Sequence, residues 1–137
     1  MKKVMLKFLA LVAALALPIC AMATDVAVSV QQIVNSGLST AYTSTGLVAS
    51  SNNYLFVNDG RVLLHFKKTG AGACTVAVTT PGTMGGLAIA DLSVSVAATT
   101  GDVIVGPFPA SLFNDANGKV TFTLSDTVGL SIAAFRL

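Results

Sequence analysis

Residues beyond position 23 offer few side chains with chemical reach. They hold one histidine, His65, one cysteine, Cys74, and six carboxylates, all aspartates, at positions 25, 59, 91, 102, 115 and 126. His65 and Cys74 would form a base and nucleophile if their side chains met at about 3 Å. As zinc ligands they fall short, since a structural site takes about four Cys or His groups. Asp115-Ala116-Asn117-Gly118 has the oxygen-rich look of a calcium loop. Calcium, however, takes about six to eight oxygens, and the following Lys119 and Val120 add none, so this stretch reads as a turn. Hydrolysis by paired carboxylates needs two acids across a cleft. Each aspartate here lies in or beside an expected turn, where such side chains bond their own backbone. No Gly-x-Ser-x-Gly elbow is present. The chain therefore reads as a non-enzyme with no catalytic residue, no metal and no cofactor.

The elements that would position these groups follow from hydrophobic alternation. Val26, Val28 and Val30 alternate with Ala27 and Ser29, and Ile33 and Val34 extend the same expected strand. Residues 39–53 are rich in Ser, Thr, Asn and Gly and read as a long surface loop or weak edge strand. A strand is expected over 54–57, closed by Asn58-Asp59-Gly60. Residues 61–66 and 75–79 read as a hairpin around 69–73, with Phe66 opposite Val76 and Leu64 opposite Val78. That register turns Cys74 inward with Val76 and turns His65 outward, so the two cannot react together. His65 then reads as a half-exposed strand residue or a histidine at a subunit contact. Further strands are expected at 92–96, 103–105, 120–124 and 130–134. Gly106-Pro107-Phe108-Pro109 cannot lie in a central strand, because proline lacks a ladder donor. Residues 110–113 suit one helical turn and 114–118 a reverse turn. Seven to eight short strands without helical periodicity predict an all-β fold, a single antiparallel β-sandwich of jelly-roll or Ig-like type over residues 24–137.

Residues 1–23 are a separate unit. Lys2, Lys3 and Lys7 precede an apolar run over 8–19 and the small-residue exit Ala21-Met22-Ala23. This is the layout of a secretory signal peptide, expected as a hydrophobic leader helix cut between Ala23 and Thr24. The apolar run falls short of the ~20 residues that span a bilayer. An uncleaved membrane anchor and lipid attachment at Cys20 are the rival readings. Without the leader, five basic residues face six aspartates, a net charge of −1. Phosphate binding needs clustered Lys and Arg, and only Lys67 and Lys68 are adjacent, so no nucleic-acid partner is expected. Cys74 is then a lone cysteine in an apolar strand, expected to be buried.

Two surfaces suggest a partner. Phe108, Leu112 and Phe113 surround two prolines and either cover the core or present an apolar patch. The closing Ala134-Phe135-Arg136-Leu137 pairs within the domain or along a neighbouring subunit. Several motifs then fall in a familiar order. They are Asn58-Asp59-Gly60-Arg61, Leu63-Leu64-His65-Phe66-Lys67, Thr80-Pro81-Gly82-Thr83 and Gly86-Leu87-Ala88-Ile89-Ala90-Asp91-Leu92. Gly106-Pro107-Phe108-Pro109, Phe113-Asn114-Asp115 and Ala133-Ala134-Phe135-Arg136-Leu137 complete the set. Together they resemble a family of small tailed-bacteriophage virion proteins, described as head decoration or minor structural proteins. The resemblance runs from about Val28 to Leu137. It implies a β-sandwich bound to the major capsid protein or other virion subunits, as a homo-oligomer such as a trimer. Arg61 and Arg136 would suit contacts to shell carboxylates. The leader departs from that pattern. It keeps open an exported, periplasmic or extracellular, binding module of adhesin or pilus-subunit type, with membrane contact only through an uncleaved leader.

Overall fold

The computed structural model describes residues 24–44, 47 and 52–137. Ala21, Ala23 and the expected leader helix lie outside them, and Thr24 opens the first strand. Among the described residues no helix is long and apolar enough to cross a membrane. The strands are β1 (Thr24–Ala27), β2 (Val30–Gln32), β3 (Asn52–Val57), β4 (Val62–Lys68), β5 (Cys74–Val78), β6 (Thr83–Met84) and β7 (Leu87–Ala88). They continue as β8 (Leu92–Val96), β9 (Gly101–Val105), β10 (Lys119–Leu124) and β11 (Leu130–Arg136), with one short helix, α1 (Ala110–Phe113), before β10. A five-stranded sheet runs β1-β3-β10-β5-β8, a four-stranded sheet β2-β11-β4-β9, and β6-β7 stand as a two-stranded pair.

The pairings are nested. β3 pairs with β10, β4 with β9, β5 with β8 and β6 with β7, all antiparallel, about one centre at Gly85-Gly86. Residues 52–124 thus form one long folded ribbon whose successive segments fall alternately in the two larger sheets. Both central glycines have positive φ, +59° and +82°. A two-residue hairpin turn of the primed kind needs that backbone, which side chains with a Cβ resist.

This topology corrects three expectations. β4 and β5 do not form a hairpin. They belong to different sheets and both turn their inward faces to the core, β4 pairing with β11 and β9, β5 with β10 and β8. The inward faces were rightly assigned, because Val62, Leu64, Phe66, Cys74, Val76 and Val78 are all buried. Alternation fixes which face is buried, but not which strand lies alongside. Residues 26–34 are not one strand either. The chain leaves one sheet after Ala27, buries Val28 at 4% exposure and donates the Val28 N–H to the Leu55 carbonyl, then joins the other sheet at Val30. Finally, the fold is not purely antiparallel, since β1 runs parallel to β3 and β2 parallel to β11.

The two larger sheets close on an aromatic centre. Phe122 of β10 stacks on Tyr54 of β3 at 5.4 Å and meets Phe66 of β4, from the opposite sheet, edge-on at 6.0 Å. Phe56 approaches both Phe122 and Phe108. The Gly-Pro-Phe-Pro segment leaves the sheet as expected and turns Phe108 into the core at 1% exposure. Such ring pairs add attraction beyond the area they bury.

Candidate functional site

The alternation that buries Leu64 and Phe66 puts His65 and Lys67 on the outer face of the four-stranded sheet. On β9, Asp102 pairs with Lys67 and Ile104 with His65, while Ala133 of β11 flanks His65 on the other side. The histidine Nε2 lies 2.6 Å from Asp102 Oδ1, and its Nδ1 lies 2.9 Å from the Tyr42 hydroxyl. The Tyr42 ring meets the imidazole edge-on at 5.7 Å, and Lys67 Nζ sits 5.2 Å from that ring's centre. Tyr42 arrives from a segment expected as a surface loop or weak edge strand, tied down by four hydrogen bonds. Thr43 exchanges two backbone bonds with Ile132, and Ala41 exchanges two with the Gln31 side chain. Ala133, on the same outward parity as His65, is 1% exposed, so this part of the face is covered.

Asp102 is held below its ordinary pKa first by the hydrogen bond from His65, then by the neighbouring His65 and Lys67 charges, partly opposed by desolvation. An ionised carboxylate only accepts, so Nε2 donates to Asp102; in the neutral imidazole of that tautomer, Nδ1 accepts from the Tyr42 O–H. Acid, base and hydroxyl are aligned in the order that activates a nucleophile in hydrolases. The hydroxyl is however a phenol on the ring that covers the imidazole, and the histidine side chain is only 13% exposed. Among the described residues no group of three or more metal-type ligands is gathered. The arrangement works as a clamp that fixes residues 41–44 to the sheet. Tyr42→Phe keeps the ring and deletes one hydrogen bond, so it should cost about 1 kcal/mol in urea unfolding. No loss on that substitution would remove the clamp from the account.

Other expected sites are placed as follows. Cys74 is buried on the inner face, away from His65. Phe108 is buried, and Phe113 meets it edge-on at 5.5 Å, so in the single chain this pair covers the core. Phe108, as placed, cannot present itself to another chain, because its ring is spent on Phe56 and Phe113; Leu112 and Phe113 are half-buried. Arg61 is exposed. Arg136 Nε donates to Gln32 Oε1 at 2.6 Å, and its guanidinium lies 3.6 Å from Asp59. The chain's last strand pairs inside the domain, with β4 and β2. Asp115 accepts the Asn117 and Lys119 N–H groups, as a turn aspartate does. Asp102 departs from that pattern by lying within β9 and bonding across strands. Lys68, read only as half of a basic pair, is 1% exposed and lies 3.2 Å from Asp126.

Concavities open on the surface of the described residues. One of about 150 Å³ is bordered by Val30, Gln32, Val57, Asp59 and Arg136. A wider one of about 320 Å³ lies over Thr75, Ala77, Thr123, Leu124 and Ser125. Neither includes His65 or Cys74. Large apolar side chains instead stand out on the β6–β7 pair, where Met84 is 70% and Leu87 75% exposed, and at Ile104 on β9, 63% exposed. No family model, curated protein or solved structure matches the chain.

Proposed function

We propose that this chain is a non-enzymatic structural protein of a tailed-bacteriophage particle, decorating the assembled head by contact with the major capsid protein and with its own neighbours. One observation carries the reading: the only histidine is spent on holding the fold, while large apolar side chains stand outside it. A protein that works by contact needs that distribution, a rigid body with apolar anchors rather than a convergent polar pocket. The ordered motifs from residue 58 onward favour a virion surface as the place of contact. The nested ribbon, rolled so that successive pairs alternate between sheets, favours the jelly-roll form of sandwich over the Ig-like form. Mass spectrometry of purified particles should find peptides from residues 24–137 at a fixed ratio to the shell protein. Their absence from particles ends this reading.

The leader-like residues 1–23 favour a second reading, an exported binding module of adhesin or pilus-subunit type. Expression of the full chain and fractionation of the host separates the two. Recovery in the periplasm or medium, with no affinity for capsids, selects the module.

A further inference from the structure

We infer that the β6–β7 hairpin is an exchange arm that pairs along the open edge of β9 in a second copy of this chain. Two features point the same way. The nested ribbon alternates between sheets, β3–β10 in the five-stranded sheet, β4–β9 in the four-stranded sheet, then β5–β8 in the five-stranded sheet again. By that alternation β6–β7 belongs beside β9, but the pair stands alone and β9 ends its sheet. Its base is held elsewhere: Thr80 N–H bonds Asp91 Oδ1 at 2.8 Å, and Gly82 N–H bonds the Leu112 carbonyl of α1 at 2.9 Å. The arm is therefore preformed, with its base bonded to Asp91 and α1 and with no pairing to its own β9. Among the described residues, nothing pairs with the outer side of that strand.

The side chains fit this assignment. Met84 and Leu87 are direct cross-strand partners and share one face of the arm. Ile104 is the exposed apolar residue on the outer face of β9. An arm added beside β9 brings these three together on one face and gives unpaired backbone groups their ladder partners. Residues 79–90 carry no charge, so the arm itself brings no ionised group into the contact. The partner is a second copy because every chain supplies one arm and one open edge, in equal number, which a closed symmetric oligomer satisfies. This assignment deepens the self-association in the proposed function, yet it is testable without particles.

The test is sedimentation velocity of the full chain, as recovered from the expressing cell, across a dilution series. Wild type should associate reversibly. The M84D/L87D variant should need at least about tenfold higher concentration to associate, since two apolar anchors are lost. I104D should weaken association comparably, and combining the changes should add little, as expected for residues in one contact. All three positions are exposed in the single chain, so thermal melting of the dilute variants should match wild type. A chain monomeric at every concentration, or variants that associate as wild type does, overturns the assignment. So does loss of particle binding in M84D/L87D with self-association intact, which would turn the arm toward the shell. A monomer that still binds heads ends only this inference; an arm-linked oligomer absent from particles ends only the decoration reading.

Discussion

Phe122→Ala is expected to lower the unfolding free energy by about 3–5 kcal/mol, the range for removing a fully buried phenylalanine ring. Phe122 is 0% exposed and is the one ring touching Tyr54, Phe56 and Phe66 together. Phe66 belongs to the opposite sheet, so the vacated volume would open at the join between layers, where neither sheet can collapse without shifting its ladder. Native domains are stable by only about 5–15 kcal/mol, so this single change would remove a large share and could leave the chain partly unfolded at growth temperature. Urea unfolding followed by far-ultraviolet circular dichroism reads the effect. As a comparison, Phe135→Ala removes a half-buried ring on the outer face, 6.3 Å from His65, and should cost clearly less. A loss under about 1 kcal/mol at Phe122 would contradict the central place given to it, since even modest core truncations exceed that.

How far the sequence could be read depends on what alternation encodes. A period of two assigned the buried faces of β4, β5, β10 and β11, because the inward positions, Lys68 apart, are apolar. It is silent on neighbours. Leu64 and Val78 were both placed inward, which is equally true of strands side by side and of strands facing across a core. The loop over 69–73 suited either arrangement. The break at Val28 was hidden for a related reason, since Val26, Val28 and Val30 keep their alternation while the chain passes between sheets. The clamp was invisible in one half only. His65 was read as outward-facing, but Tyr42 lies in a stretch of Ser and Thr whose path is set by distant bonds to Ile132 and Gln31. Asp102 was grouped with turn aspartates, though its place before Val103 and Ile104 allows it to begin a strand. Lys68 was legible in principle: it shares parity with Val62, Leu64 and Phe66, and an inward lysine demands a carboxylate.

That inward lysine yields the second large effect. Lys68 Nζ is withdrawn from water, donates to the Val128 carbonyl at 2.7 Å and lies 3.2 Å from Asp126 Oδ2. Gly70 completes the enclosure, because a Cβ there would strike the Val128 carbonyl. Truncation by Lys68→Ala removes a buried stem about as long as that of methionine and should cost about 2–4 kcal/mol. Lys68→Met keeps the stem and discards the ammonium. Asp126 can then turn to solvent, so this variant should remain within roughly 1.5 kcal/mol of wild type. Asp126→Asn is the harsher change of the two, since it leaves a buried cation without its carboxylate, and Lys68→Met added to it should restore stability. Asp126 is held below its ordinary pKa first by the Val128 N–H, then by Lys68. A depressed carboxylate stabilises the fold above its unfolded pKa, and that contribution fades as pH falls through the lower folded value. The loss therefore lies below about pH 4, and Asp102 and Asp115, lowered likewise, share it. Urea midpoints measured from pH 6 down to 2 should fall less steeply for Lys68→Met/Asp126→Asn than for wild type. A double variant less stable than Asp126→Asn alone would mean that the ammonium is held by Val128 and its own stem, with the carboxylate incidental.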